Sequence, residues 1–170
     1  MASPTLEPTQ TPIGETKPQA LPVGTKCKAD DATAFYKITA SDIVNGTVTY
    51  MAPANKNAAT VNVPDTVVIS GVKYKVTAIE KKAFSGCKKL KKGTIGKNVT
   101  KIGAKAFYGC SKLKTLIIKS TKLTVKKVGS KAFGKTPKKM TVKVPKKKLK
   151  VYKKMLIKRG VNKKAKFKKS

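Results

Sequence analysis

A twelve-residue phrase recurs between Thr77 and Pro145, and that repetition restricts the fold more than any other feature of the chain. Ile79-Glu80-Lys81-Lys82-Ala83-Phe84-Ser85-Gly86-Cys87-Lys88-Lys89-Leu90 is answered by Ile102-Gly103-Ala104-Lys105-Ala106-Phe107-Tyr108-Gly109-Cys110-Ser111-Lys112-Leu113. A looser third copy runs Val128-Gly129-Ser130-Lys131-Ala132-Phe133-Gly134. The Ala-Phe pair returns after 23 residues and then after 26. Self-similarity at such a period marks a solenoid, whose units cannot bury their apolar faces alone and must stack.

Each copy then predicts its own coil. Leu113-Lys114-Thr115-Leu116-Ile117-Ile118 is an L-x-x-L-x-L run, the strand-forming core of a leucine-rich repeat. The first copy keeps the frame with Leu90, Ile95 and Asn98 but has Gly93 where Leu116 sits, and the third offers Val142-Lys143-Val144. Strand side chains alternate, so residues 93, 95, 116, 118, 142 and 144 point inward and Thr94, Ile117 and Lys143 outward. Glu80–Ser85 is expected to make one or two helical turns with Ala83 and Phe84 inside. Gly86 and Gly109 suit a terminating position of positive φ. Three columns follow: Phe84, Phe107 and Phe133; Ile79, Ile102 and Val128; Leu90, Leu113 and Met140. Gly93 packs nothing inside its strand, so Gly93→Val is expected to raise the melting midpoint.

The phrase V-T-x-I-x-x-x-A-F-x-G-C-x-x-L-x-x-x-x-I resembles the BspA-like leucine-rich repeats of bacterial surface proteins, also called the Treponema pallidum type. Val76-Thr77, Ile79, Ala83-Phe84, Gly86-Cys87, Leu90 and Ile95 carry the first match. Val99-Thr100, Ile102, Ala106-Phe107, Gly109-Cys110, Leu113 and Ile118 carry the second. The likeness covers roughly residues 58–145, and more loosely the C-terminal cap to 168. The third copy departs from it, lacking the Gly-Cys pair and carrying Thr136-Pro137. The resemblance implies secretion, surface display, and an adhesion or host-contact role.

Charge is distributed very unevenly. Residues 1–80 hold 7 lysines and all 7 acids, while residues 81–170 hold 33 basic residues and no acid, so the whole formal charge of +33 lies after Glu80. Such a surface attracts polyanions through its long-range field. Arg159 is the only arginine, so the chain lacks the planar forks that read guanine edges, and specific nucleic-acid recognition is not expected. Self-repulsion predicts a fold that salt strengthens.

Three cysteines, Cys27, Cys87 and Cys110, leave at least one thiol unpaired within a monomer. Cys87 and Cys110 occupy equivalent places in adjacent coils. They read as a ladder of small buried thiols, with a bridge between them the alternative. No histidine and no C-x-x-C spacing occur, so neither a metal nor a cofactor is implied. Asp30-Asp31 is one acidic pair, too few ligands for calcium.

The architecture expected is an α+β, β-rich solenoid: about three coils plus a first rung, with an N-terminal β-hairpin cap and a C-terminal helical cap. Residues 1–25 read as a Thr/Pro-rich linker. Leu21-Pro22-Val23-Gly24-Thr25 comes near a sortase signal, but its last two residues are transposed. Met1-Ala2 lacks the features of a signal peptide, so the chain reads as a piece of a larger secreted protein. Residues 26–76 form the N-terminal β region. Within it Thr33–Ile38 and Thr47–Met51 are joined around Asn45-Gly46, Val61-Asn62-Val63-Pro64 makes the first rung, and a hairpin turns at Gly71. Residues 77–145 are the repeats. Residues 146–170 hold a capping helix, with Leu149, Tyr152, Met155 and Leu156 on one face and Gly160 as its stop, then a short strand at Ala165–Phe167 and a fraying basic tail. No stretch is long or apolar enough to span a membrane.

Acid-base catalysis usually needs a histidine or paired carboxylates in a pocket, and no acid follows Glu80. Gly93-Thr94-Ile95-Gly96-Lys97 does not have Walker spacing. The chain is therefore read as non-catalytic. The candidate binding face is the outward side of the parallel sheet: Lys92, Thr94, Thr115, Ile117, Lys119, Thr141 and Lys143. It suits a protein or glycan partner, host or bacterial. A polycationic anchor to anionic wall polymer or glycan, and a plain structural spacer, are the alternatives.

Overall fold

A computed structural model describes residues 17–170; most of the expected linker lies outside them. Eleven strands and one α-helix, the latter preceded by a 3-10 turn at Lys146–Lys148, form in these residues: β1 (Lys26–Lys28), β2 (Ala34–Ala40), β3 (Thr47–Pro53), β4 (Thr60–Val63), β5 (Thr66–Ile69), β6 (Val72–Ile79), β7 (Lys92–Ile95), β8 (Lys101–Ile102), β9 (Thr115–Ile118), β10 (Thr141–Val144), α1 (Leu149–Lys158) and β11 (Lys166–Lys169). They make two sheets. One is wholly parallel, in the order β11-β10-β9-β7-β4. The other is mixed, in the order β1-β2-β3-β6-β5 with β8 beside β6, and an isolated parallel bridge from Ile102 to Val128 continues it.

The core fills the space between these sheets, where the expected columns are found. Phe84, Phe107 and Phe133 are fully buried and stack at centroid distances of 4.5 and 5.4 Å, with interplanar angles of 20° and 12°. Ile79, Ile102 and Val128 are buried, as are Leu90, Leu113 and Met140. Gly93, Ile95, Leu116, Ile118, Val142 and Val144 all point inward. The aromatic column is longer than the repeats alone predict. Tyr50 stacks on Phe84 at 5.0 Å, and Tyr36 meets Tyr50 edge-on at 5.3 Å. Both tyrosines come from the β2–β3 hairpin, whose strand β3 pairs in parallel with the second half of β6. That hairpin is thereby built into the solenoid's second sheet.

The segment 80–85 corrects the sequence expectation, since it is a run of turns and not a helix. Its donors are spent on the next coil. The N–H groups of Lys82, Phe84 and Gly86 donate to the carbonyls of Ala104, Ala106 and Tyr108 at 3.1, 2.8 and 3.2 Å. Lys105, Phe107 and Gly109 repeat the pattern to Ser130, Ala132 and Gly134 at 3.1, 2.7 and 3.0 Å. A helix would need those donors for its own carbonyls. Left-handed φ at Lys82, Lys105 and Lys131 also breaks any right-handed turn.

The C-terminal segment departs in a second respect. The last residues do not fray: β11 pairs in parallel with β10, and the Ser170 N–H donates to Val144 O at 2.9 Å. Before it, α1 buries Tyr152, Met155 and Leu156 and stops at Gly160, whose φ is +111°. Tyr152 pins α1 to the preceding coil. Its hydroxyl accepts from the Leu123 N–H and donates to Ser120 O, both at 3.0 Å.

Candidate functional site

Parallel pairing in constant register decides what the outer sheet face looks like. Thr60, Lys92, Thr115, Thr141 and Lys166 are direct partners across the five strands. Asn62, Thr94, Ile117, Lys143 and Lys168 form a second row beside them. At about 4.8 Å between strands the face is about 20 Å wide. Six of the seven predicted residues therefore lie in two straight rows. Lys119, the seventh, sits just past β9, where its N–H still pairs with Ile95 O at 2.9 Å.

Ile117 differs from expectation, because it is half-buried where free exposure was expected. Its row partners Thr94 and Lys143 flank it at strand spacing and cover part of its surface. Thr60 and Asn62 on the first rung, and Lys166 and Lys168 on the last, were missed. The match of Val61-Asn62-Val63-Pro64 to Val142-Lys143-Val144-Pro145 was the signal for the first pair. The alternation around Phe167 was the signal for the second.

Four of the five carboxylates among the described residues, all but Glu80, hold the scaffold together. Asp30 accepts from the N–H groups of Ser70 and Gly71 at 2.8 and 3.1 Å, tying the β5–β6 turn to the β1–β2 loop. Asp31 accepts from the N–H and hydroxyl of Thr33 at 3.0 and 2.8 Å. The Asn45 and Val44 N–H groups hold the Asp42 carboxyl below the usual carboxylate range. Asp65 accepts from the Lys97 N–H at 2.6 Å, and Asn98 donates to the Asp65 carbonyl at 3.0 Å.

An open groove of ≈ 480 Å³ runs beside β4, lined among others by Asp31, Thr33, Tyr50, Pro53, Ala58 and Thr60. Its one carboxylate is the one engaged by Thr33. Among the described residues no three His, Cys, Asp or Glu side chains converge as metal ligands. No helix there is long and apolar enough to cross a membrane.

The buried thiols and the single arginine also serve packing. Cys110 donates to Phe84 O at 3.2 Å, and burial pushes its thiol up to about 12, with the neighbouring Cys87 adding to the rise. Burial likewise raises Cys87. Arg159 is half-buried and tied to the scaffold: its guanidinium donates to Val125 O at 2.6 Å, and its carbonyl accepts from the Phe133 N–H at 3.0 Å. The fully exposed cations of residues 81–170 are all lysine.

A stack of short coils with a parallel sheet on one side and stacked turns between its two sheets defines a leucine-rich-repeat solenoid. The chain belongs to the BspA-type leucine-rich-repeat family, whose model matches residues 54–163 in six copies. Two solved structures are similar. One is a leucine-rich cell surface protein from Faecalibacterium prausnitzii, 20% identical, with a TM-score of 0.51 over 72% of this chain and 37% of that one. The other is a leucine-rich repeat protein from Bacteroides ovatus, 26% identical, with a TM-score of 0.44 over 64% of this chain and 35% of that one. The chain spans little more than a third of either protein's length. No curated protein matches it.

Proposed function

We propose that this chain is a non-catalytic recognition or adhesion module of a secreted, surface-displayed bacterial protein. It presents the outer sheet face, with Lys92, Thr94, Thr115, Ile117, Lys119, Thr141 and Lys143, to a protein or glycan partner. The observation that carries this reading is the pair of straight rows, which sets hydroxyls, ammoniums and one aliphatic side chain at regular spacing on a rigid sheet. Membership of a repeat family named for surface proteins supports display outside the cell. We read residues 26–76 as the N-terminal β region and cap, 77–145 as the repeats, and 146–170 as the capping helix and basic tail. We read residues 1–25 as a Thr/Pro-rich linker, whose end is tied to β2 where Gly24 and Thr25 pair with Ile38.

A second reading is favoured by the charge, all of which lies after Glu80. In it the module anchors a larger protein to anionic wall polymer or glycan. An array of matrix proteins and glycans, probed at low and high salt, separates the two. Ile117→Asp is expected to abolish specific capture while leaving retention on anionic polymer intact, and high salt to do the reverse. A module that captures nothing at either salt would be a spacer, and both readings would be lost.

A further inference from the structure

One turn is repeated four times along one edge of the parallel sheet. The N–H of Leu90 donates to Cys87 O, that of Leu113 to Cys110 O, that of Met140 to Pro137 O and that of Ala165 to Asn162 O, at 3.1, 3.2, 3.4 and 3.0 Å. Each turn holds two central residues: Lys88-Lys89, Ser111-Lys112, Lys138-Lys139 and Lys163-Lys164. All eight are exposed, and Ser111 alone is not a lysine. Elsewhere in the repeats the lysines are sparser, while the C-terminal segment carries its own exposed group at Lys146, Lys147, Lys150, Lys153, Lys154 and Lys158. The two sheet rows mix them with threonine, and the stacked turns of the second copy carry only Lys105 among Gly103, Ala104 and Ala106. Within the repeats the bias to lysine is thus strongest on this edge, where seven of the eight central turn residues are lysine.

Nothing acidic offsets it. Among the described residues the one ion pair, Lys97 with Asp65 at 4.0 Å, lies past the opposite end of β7. The turns lead into neighbouring strands at a spacing of about 4.8 Å, so their lysines form a linear cationic ladder along the stacking axis. Beside it runs the row Thr60, Lys92, Thr115, Thr141, Lys166, which adds hydroxyl groups. No aromatic side chain stands on the ladder or in that row to stack a nucleobase.

We propose that this edge is the docking site of an anionic polysaccharide, lying along the solenoid axis with its acidic groups on the turn lysines and its hydroxyls against the threonine row. The proposal rests on the anchor reading above and gives that reading a site.

The test is binding of labelled dextran sulfate at physiological ionic strength, with neutral dextran and an oligothymidylate as comparisons. The variant Lys89→Gln, Lys112→Gln, Lys139→Gln, Lys164→Gln is expected to lose about tenfold or more in affinity. Removing the same charge elsewhere, by Lys126→Gln, Lys150→Gln, Lys153→Gln, Lys154→Gln, is expected to cost about threefold or less. Ser111→Lys fills the vacant place without removing anything, and is expected to tighten binding about two- to threefold, with Thr121→Lys neutral. Equal losses in the two quadruple variants, or no gain from Ser111→Lys, overturn the ladder but leave the anchor reading standing. No binding of dextran sulfate by the wild type sinks both. An oligothymidylate that binds as tightly as dextran sulfate overturns the assignment to polysaccharide.

Discussion

At the scale of single residues the repeats show which positions tolerate a side chain. Gly86 and Gly109 have φ of +79° and +78°, and the third copy puts Lys135 at the same place with φ +56°. A left-handed L-residue costs about 1–2 kcal/mol, partly offset by the entropy that glycine loses on folding. Lys135→Gly is therefore expected to stabilise the protein by about 0.5–1 kcal/mol in a urea melt. An unchanged midpoint would show the loop relaxing elsewhere. Gly103 and Gly129 are constrained differently. A Cβ on Gly103 would run into the Lys81 backbone nitrogen, and one on Gly129 into the Ala104 nitrogen. Coils approach closely at these points, so Gly103→Ala is expected to cost about 1–3 kcal/mol. Gly93 has room: a Cβ there meets Leu116 Cδ1 at 3.5 Å and Phe107 Cε1 at 3.6 Å, ordinary contacts. Gly93→Ala should raise stability by about 0.5–1 kcal/mol. The valine expected from sequence puts two further methyls where the first carbon already touches its neighbours, so alanine carries the prediction.

At the scale of elements, stacked rungs do the work that long helices do elsewhere. The strands of the parallel sheet have four residues each. None is stable alone, and each gains its partners from the coils on either side. The aromatic column from Tyr36 to Phe133 runs through these layers without a gap. Phe107 is central in it and fully buried, so Phe107→Ala should destabilise by about 3–5 kcal/mol, read by thermal or urea unfolding. A loss below about 1 kcal/mol would mean that the coils slide together to fill the space. The missed turn ladder belongs to this scale too. Ala83-Phe84 and Ala106-Phe107 have apolar spacing that suits a helical turn as well as a rung. What excludes the helix is the position of acceptors in the next coil, which no local window contains.

At the scale of the whole molecule the decisive quantity is charge. The described acids all lie at or before Glu80, in the N-terminal layers, and the stack becomes wholly cationic beyond them. Like charges at coil spacing repel, and salt at about 0.15 M screens them beyond about 8 Å. Added sodium chloride is expected to raise the melting midpoint more than it raises that of a neutral protein of similar size. Equal shifts would show that the lysines lie too far apart to strain the fold.

The repeat period, the inward columns and the three central rungs of the outward rows were legible in the chain, because neighbouring coils carry the same residues at the same places and strand side chains alternate. Thr94, Thr115 and Thr141 could be assigned to the outer face from that alternation alone. Tertiary structure decided what depends on a neighbouring layer. It extended the aromatic column through Tyr50 and Tyr36, turned the last residues into a fifth rung, and tied Arg159 to Val125. It also brought four lysine-bearing turns, distant in sequence, to a single edge. Local pattern encodes which way a side chain points, but contacts between layers depend on how the backbone groups of separate coils meet, and that meeting exists only once the stack has closed.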